Sequence, residues 1–366
     1  MLRPIPSLIA LLAAIAVAGP AIAADIGDNS GDDGSSGLRD GYPVEPGDWA
    51  GLGDKDDPLT FETGIRYWYS VGSDSFSSGG SSLSSTDAAH SGELHLRIED
   101  HATNVYASAL AGYSVKMDGS YSAPSTSGSF TDGHIGYIGA DIGWNMVGDH
   151  NGSGFGPLVG YMYWQEAPDT GRFNYTTATT GSDVTYNPTT GQTDVQGDSS
   201  PNEIDTNLLR LGVQGKAKLG DFIDISGEVA AVPYAKVSGT VGEDDTTFDT
   251  SVYSGPAQPP YGGENGNISS MRSSPTTVDG WGYGAQAEAW LGIHPTDNLA
   301  VRLGGRLWYL QGSADETYSK ATISNPGGTP GNYNTDPTVT NTNLINTSNP
   351  FSMLRYGLLA ELDYTF

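Results

Sequence analysis

The sequence predicts an all-β fold, a ten-stranded antiparallel transmembrane β-barrel with short periplasmic turns and long extracellular loops. Three observations predict it. Apolar and polar residues alternate with a period of two in ten segments, which is the signature of strands with one apolar face. The connections between these segments are alternately long and short, and the basic residues fall mainly on one face of the strands. Together these features are typical of a barrel of the bacterial outer membrane.

Residues 1–23 have the features of a secretory signal peptide. Arg3 gives a positively charged start, an apolar stretch covers 8–18, and Ala21-Ile22-Ala23 fits a cleavage site of small residues. About eleven apolar residues are too few for a helix that spans a bilayer. We therefore expect removal of 1–23 and a mature chain that begins at Ala24.

Residues 24–58 form a segment rich in Asp and Gly, without apolar periodicity. This composition is typical of a chain that cannot bury a core, so we predict a flexible periplasmic leader. The Asp spacing does not match a calcium-binding loop. The domain organisation expected is therefore a signal peptide at 1–23, an acidic leader at 24–58 and a barrel at 59–366.

Alternation begins at Leu59, where Leu59, Phe61 and Ile65 share a face opposite Thr60 and Glu62. The same pattern predicts ten strands, at 59–71, 92–100, 104–116, 134–146, 155–166, 204–219, 222–238, 280–293, 298–312 and 352–366.

The connections indicate which end of each strand meets which compartment. Connections of about 17 to 41 residues alternate with connections of about 2 to 8 residues. The short ones contain turn residues, as in Gly220-Asp221 and His294-Pro295-Thr296-Asp297-Asn298. Outer-membrane barrels have short turns on the periplasmic side and long loops outside, whereas a soluble sandwich has no reason for this order.

Most of the basic residues fall on the face predicted to line the lumen, and some acidic residues join them there. The terminal strand illustrates it, because Leu358, Leu362 and Phe366 alternate with Arg355 and Glu361. A basic residue facing lipid at the bilayer midplane costs about 2–4 kcal/mol, so the sorting supports the register. We interpret these charges as ion pairs that fill a narrow barrel. The main lumen residues predicted are Glu62, Arg66, Arg97, Lys116, Asp141, Arg210, Glu228, Glu288, Arg302, Arg306, Arg355 and Glu361, and the basic set also includes Lys216, Lys218 and Lys236.

Aromatic residues lie near the predicted strand ends and suggest two girdles at the membrane interfaces. The girdle predicted on the loop side includes Tyr67, Tyr69, Tyr161, Tyr163, Trp164, Trp308 and Tyr309, and the girdle on the turn side includes Trp144, Tyr364 and Phe366.

Composition excludes several classes of function. The formal net charge is −27, and a protein that binds nucleic acid needs a basic surface. The chain has no Cys, so it has neither a thiol nucleophile nor disulfides. The motifs of serine hydrolases, zinc proteases and phosphate-binding loops are also absent from the sequence. No metal or other cofactor is predicted.

The C-terminal segment YGLLAELDYTF resembles the assembly signature of bacterial outer-membrane proteins, which ends in Phe after alternating apolar residues. This resemblance implies recognition of Phe366 by the barrel-assembly machinery. The other partners expected are outer-membrane lipid and lipopolysaccharide.

The part of the chain from Ile204 to Phe366 resembles the omptin family of outer-membrane proteases in its pattern of strands and turns. The segments that carry the resemblance are LGDFIDISGEVAAVPYAKVSGTVGEDD, GAQAEAWLGIHPTDNLAVRLGGRLWYLQG and YGLLAELDYTF. The resemblance implies a ten-stranded barrel and a site in which two Asp residues face an Asp–His pair that activates water. The corresponding region here reads VGEDDTTFDT and contains Asp244, Asp245 and Asp249 but no His.

General-base catalysis needs a group that can accept a proton from water, and that His is missing. The function favoured by the sequence is therefore a non-enzymatic outer-membrane barrel, either a surface-exposed structural protein or a narrow porin-like protein. One alternative is an omptin-like protease with a rearranged site, in which His134 or His90 acts with Asp132, Asp244 and Asp245. The other is a surface adhesin that uses the Asn- and Thr-rich loop at 313–351.

Overall fold

The computed structural model describes residues 58–366 except 79–80, 124–125, 150–152, 178–183, 188–191, 196, 221, 243–249, 254–261, 264–265 and 325–337. The predicted signal peptide and nearly all of the predicted leader lie outside the described residues. In the described part of the chain, no helix is long and apolar enough to cross a membrane.

Ten long strands form the wall of the molecule, and each covers all but at most two residues of one of the ten segments in which the sequence alternates. Their bounds are β1 (Leu59–Ser78), β2 (Ser81–Asp100), β3 (Val105–Ser122), β4 (Gly133–Trp144), β5 (Ser153–Pro168), β6 (Glu203–Lys218), β7 (Ile223–Val241), β8 (Thr276–Ile293), β9 (Leu299–Ser324) and β10 (Thr338–Thr365).

Every strand pairs antiparallel with the strand before it and the strand after it. The ring closes because β1 also pairs with β10, with Trp68 opposite Leu359 and Ile65 opposite Leu362. A closed sheet leaves no unpaired edge in its wall, which is what a strand-built membrane protein requires. The predicted fold class is confirmed, including the number of strands.

One end of the barrel, here called the turn end, carries the short connections. In the first of them Asn104 has a positive φ of 58°, which Asn tolerates in a tight turn. Gly220 has a φ of 82° in the connection from β6 to β7. The backbone N–H of His294 donates to the carbonyl of Phe222 at 2.9 Å, so two neighbouring turns are tied together.

At the opposite end, here called the loop end, the strands extend further than the sequence predicts. The predicted connection at 72–91 lies almost entirely in β1 and β2, which leave only 79–80 between them. The predicted loop at 313–351 likewise lies largely in β9 and β10. A pair of strands that extends beyond a membrane needs no apolar face. Apolar and polar residues therefore stop alternating in these extensions, while the backbone hydrogen bonds between the strands continue.

Two β-bulges change which residues face the lumen. In β3 the register shifts by one residue at Val115, which is 78% exposed, so His90 lies opposite Lys116 and Ser91 lies opposite Ser114. In β7 a shift occurs between Val232 and Ala235, around Pro233. Proline has no N–H to donate to a sheet, and bulges are among the places in a strand that tolerate it. Beyond each bulge, the inward and outward positions exchange.

Candidate functional site

An aromatic layer crosses the lumen midway along the barrel. It consists of Trp68, Tyr137, Trp164 and Trp308, and each is less than 5% exposed. These side chains come from β1, β4, β5 and β9, on different sides of the ring. They meet across the lumen with ring centroids 5.1 Å apart for Trp68 and Trp308 and 4.5 Å apart for Trp164 and Trp308. The aromatic layer therefore fills the cross-section of the barrel.

An ion-pair layer lies directly on the turn side of the aromatic layer, with Arg306 against it. The Arg306 guanidinium lies 4.8 Å from the centre of the Trp68 ring. It donates to Glu93 at 2.5 Å through Nη1 and to Glu288 at 2.5 Å through Nε. Glu93 also accepts a hydrogen bond from the Tyr137 hydroxyl. The two layers are thus joined by hydrogen bonds and a cation–π contact.

Three further arginines complete the ion-pair layer. Arg66 donates to Glu361 at 2.7 Å and lies 3.5 Å from Glu288. Arg302 reaches two carboxylates, Glu62 at 2.8 Å and Asp363 at 2.5 Å. Arg210 donates through Nη1 to both oxygens of Asp141, at 2.7 and 2.8 Å, and through Nη2 to Glu228. Buried charges are tolerated when each has such partners.

The predicted lumen residues can now be placed. Eleven of the twelve line the interior, and ten of these form ion pairs with buried or partly buried partners or, in the case of Arg97, a cation–π contact, while Arg355 belongs to a separate cluster described below. Arg97 lies 3.7 Å from the centre of the Tyr106 ring and pairs with Glu99 at 3.3 Å. The lumen position of Lys116 is wrong, because the bulge at Val115 turns its side chain outward.

Lys116 is 62% exposed and pairs with Asp118 at 2.6 Å on the outer face. The same correction applies to Lys236, which lies beyond the bulge at Pro233 and pairs with Asp279 on the outer face. Two of the girdle positions are also wrong, because Trp164 and Trp308 belong to the aromatic layer inside the barrel.

A second cluster of charges lies on the loop side of the aromatic layer, and the sequence analysis did not predict it. Arg355 is fully buried and donates to both oxygens of Asp87 at 2.8 Å, and to Glu166 at 2.6 Å. Glu166 also accepts from the Trp164 indole at 3.2 Å. A carboxylate oxygen from each of Asp74, Asp87 and Glu166 lies within 4.8 Å of the other two.

The local sequence makes room for this cluster. A Cβ at Gly72 would overlap the Arg355 guanidinium, so only glycine leaves the space that the pair with Asp87 occupies. Asp87 belongs to the segment at 72–91, which the sequence predicts to be a loop, and Glu166 lies at the loop end of β5. The signal in the sequence is Arg355 itself, because a basic residue at the inner position of a strand requires an acidic partner; it does not indicate which residue that partner is.

The two histidines proposed as a proton acceptor lie on the outside of the barrel. His90 contacts the Tyr67 hydroxyl at 2.5 Å, and Tyr67 is 47% exposed. His134 stacks on Tyr113, with ring centroids 5.6 Å apart, and its neighbour Ile135 faces the interior. Asp132 is exposed and accepts the N–H of Gly133 at 2.8 Å. Asp244 and Asp245 lie outside the described residues.

At the turn end, Asp100 has the clearest electrostatic role among the groups outside the membrane-spanning region. Its carboxylate accepts hydrogen bonds from the Thr103 hydroxyl at 2.7 Å and the Ala102 N–H at 2.9 Å. These bonds, with the hydroxyl contributing most, lower the pKa of Asp100 below its usual value. The ionised form therefore stabilises the first turn.

Comparison with known proteins supports the architecture. The outer membrane protease OmpT from Escherichia coli superposes with a TM-score of 0.51 over 84% of this chain and 97% of that chain, at 12% sequence identity. The fold is that of an outer-membrane β-barrel. At this identity, the similarity establishes the fold alone.

More distant matches include other outer-membrane barrels. The translocator domain of the autotransporter NalP from Neisseria meningitidis has a TM-score of 0.29 at 11% identity and covers 87% of this chain and 92% of that chain. The β domain of the Bordetella autotransporter BrkA also has a TM-score of 0.29 at 11% identity, and it covers 85% of this chain and 100% of that chain. No protein-family model and no curated protein matches the sequence.

Proposed function

We propose that this chain is a closed, non-enzymatic barrel of a Gram-negative outer membrane, a surface-exposed structural protein and not a pore. The aromatic layer is the observation that carries the proposal. Trp68, Tyr137, Trp164 and Trp308 contact one another across the lumen, and the ion-pair layer packs directly beneath them.

The energetics of the two layers oppose conduction. A hydrated ion that entered from the turn end would have to break bonds such as Arg306–Glu93, in which both side chains are at most 1% exposed. Removing one partner from a buried ion pair costs about 3–5 kcal/mol, and displacing several would cost more. The ion would then meet four packed rings that offer no solvation. The structure thus favours the structural role over the narrow porin-like role.

The outer wall is consistent with a membrane location. Apolar side chains such as Ile65, Leu303 and Leu358 are more than 60% exposed on it. Exposed aromatic residues lie on it, including Tyr69 and Tyr161 close to the level of the aromatic layer and Trp144 and Tyr364 at the turn end. We propose that lipid and lipopolysaccharide cover this wall, and that Phe366 is the residue through which the assembly machinery binds the chain.

A liposome-swelling assay tests the proposed function. The refolded barrel would be reconstituted beside a general porin at the same ratio of protein to lipid, and the influx of a small sugar would be followed. We expect swelling with the porin and none above empty liposomes with this protein. Sugar influx that scales with the amount of this protein would refute the closed barrel.

A second candidate is an omptin-like surface protease, favoured by the superposition with OmpT and by a cavity of about 120 Å³ on the loop side of the aromatic layer. In the described part of the chain, however, neither His90 nor His134 faces that cavity. Incubation with fluorogenic peptides that contain basic residues separates the candidates. The closed structural barrel gives no cleavage. Cleavage lost in both Asp244→Asn and Asp245→Asn would support the protease.

A further inference from the structure

Three side chains that can bind a metal ion converge within the ion-pair layer. Glu62 lies on β1, His95 on β2 and Asp363 on β10, and one ligand atom of each lies within 4.8 Å of the other two. The register of these strands brings them together, because Gly64 pairs with His95 on one side and with Asp363 on the other. A Cβ at Gly64 would lie 2.6 Å from Glu361 Oε1 and 3.2 Å from Asp363 Oδ1. Glycine therefore leaves open the space into which these side chains point.

Several ligand atoms in this group are buried and make no hydrogen bond. Asp363 is 1% exposed and His95 is 9% exposed. Within the described part of the chain, Asp363 Oδ1, His95 Nδ1 and Glu361 Oε2 have no hydrogen-bond partner. The imidazole nitrogen lies 3.4 Å from Glu361 Oε1. Since buried polar atoms are nearly always paired, an imidazole nitrogen and two carboxylate oxygens left over in one place point to a bound cation.

The charge of the surrounding ion pairs also favours a cation. Among the described residues, the connected set of ion pairs that contains Arg302 has six carboxylates and four basic side chains, with both of its imidazoles neutral. Two negative charges remain, which is the charge that one divalent cation offsets. The carboxylates are Glu62, Glu93, Asp224, Glu288, Glu361 and Asp363, and the basic side chains are Arg66, Lys216, Arg302 and Arg306.

From this geometry we infer that Glu62, His95 and Asp363 bind a divalent transition-metal ion, for which Zn²⁺ is the probe, with Glu361 as a fourth ligand. Arg302 donates to Glu62 Oε1 at 2.8 Å and to Asp363 Oδ2 at 2.5 Å, which leaves Asp363 Oδ1 for the ion. Arg302 would thus orient two ligands from outside the coordination shell. This inference goes beyond the closed barrel, because it assigns an ion to the turn side of the lumen regardless of whether the lumen conducts.

The ligand set selects the kind of metal. Imidazole together with carboxylate suits Zn²⁺ and its neighbours in the first transition series, whereas Mg²⁺ and Ca²⁺ prefer oxygen ligands alone. Bonds of about 2.0–2.2 Å place the ligands of a tetrahedral Zn²⁺ about 3.4 Å apart, so each side chain has to move by about 1 Å or less. A cavity of about 110 Å³ that Glu62, His95 and Glu361 help to line has room for a water molecule beside the ion.

Titration of the refolded full chain with Zn²⁺, in competition with a chromophoric chelator at pH 7, tests the inference. Millimolar Mg²⁺ in the buffer occupies sites on the acidic surface that consist of oxygen alone. We expect one tightly bound Zn²⁺ per chain and a higher urea midpoint of unfolding with Zn²⁺, because the ion binds the folded chain. Co²⁺ in place of Zn²⁺ should give the visible absorption bands of a tetrahedral site.

Two variants locate the site, and a third is the matched control. His95→Gln should weaken Zn²⁺ binding at least tenfold and abolish the Co²⁺ bands, and it breaks no hydrogen bond of Nδ1. Glu62→Gln should also weaken binding at least tenfold. His134→Gln removes an imidazole that stacks on Tyr113 at the outer wall, and it should bind Zn²⁺ like the unaltered chain. Heat-modifiable mobility on gels confirms that each variant is folded.

Equal Zn²⁺ affinity in the unaltered chain and in folded His95→Gln would overturn the inference. Displacement of Zn²⁺ by millimolar Ca²⁺ would also overturn it, because the ion would then lie on carboxylates alone. A chain that binds no Zn²⁺ tightly would show that protons shared between carboxylates offset the charge in place of a metal.

Discussion

Arg306→Met should destabilise the barrel strongly because it removes the cation that two buried carboxylates share. Methionine retains the apolar volume beneath Trp68 but leaves Glu93 and Glu288 without their 2.5 Å partners. Breaking a buried pair by removing one partner costs about 3–5 kcal/mol. Glu93 keeps the Tyr137 hydroxyl, and Glu288 keeps the Trp290 indole at 2.6 Å and Arg66 at 3.5 Å. We therefore expect a loss near the lower limit, about 3 kcal/mol.

Urea unfolding of the refolded protein in lipid vesicles, followed by tryptophan fluorescence, measures this loss. Lys116→Met is the matched control, because it removes a cation whose partner Asp118 lies with it on the exposed outer face. An exposed pair contributes about 0–1 kcal/mol, so the control should lie close to the unaltered protein. Adding Glu93→Gln to Arg306→Met should restore part of the stability. If Arg306→Met and Lys116→Met lose the same free energy, the reasoning about the ion-pair layer is wrong.

Three further predictions concern topology, assembly and pH. Protease added to intact cells should cut within the loop-end connections and spare the short turns at 145–152 and 294–298. The regions in which we expect cleavage are 167–203, 239–279 and 313–351. Cleavage at the short turns would indicate the opposite orientation in the membrane. Deleting Phe366, whose backbone N–H donates to Phe61 at 2.8 Å, should reduce the amount of heat-modifiable protein in the outer membrane, and an unchanged amount would exclude that role. Because folding lowers the pKa of Asp100, its contribution is present above the unfolded value of about 3.9 and lost as the pH falls through the folded value. The difference in unfolding midpoint between the unaltered protein and Asp100→Asn should thus be larger at pH 7 than at pH 3, and equal differences would contradict the assignment.

The barrel itself could be predicted from the sequence because a strand that separates lipid from a polar lumen must alternate. Leu358 and Leu362 face outward while Arg355 and Glu361 are buried inside, as the alternation indicated. Ten such segments, joined by alternately short and long connections, define the number of strands. The residues of the ion-pair layer followed from the same pattern.

The errors have physical causes that alternation does not encode. A bulge adds one residue to a strand and exchanges its faces, so alternation alone places Lys116 and Lys236 on the wrong side. The position of Trp164 near a predicted strand end predicts a girdle residue, because aromatic residues there usually lie at the membrane interface. Its position beside Met162 and Glu166 on the inner face places it in the aromatic layer instead.

The cluster around Arg355 could not be predicted for a different reason. Asp74 and Asp87 belong to strand extensions that are rich in Ser and Gly, where no apolar face is needed and no alternation marks the strand. Their partners Glu166 and Arg355 come from distant parts of the chain. Only the register of the closed barrel brings these four residues together.

Single-channel recording in a planar bilayer tests the closed barrel most directly. The refolded full chain would be inserted at high salt and held at potentials of either sign, with a general porin inserted in parallel as the positive control. We expect no discrete conductance steps from this protein, because the aromatic layer and the ion-pair layer fill the lumen. Reproducible steps whose number follows the amount of protein, and which change in size in Trp68→Ala and Trp308→Ala but not in the outer-face variant Tyr69→Ala, would contradict it.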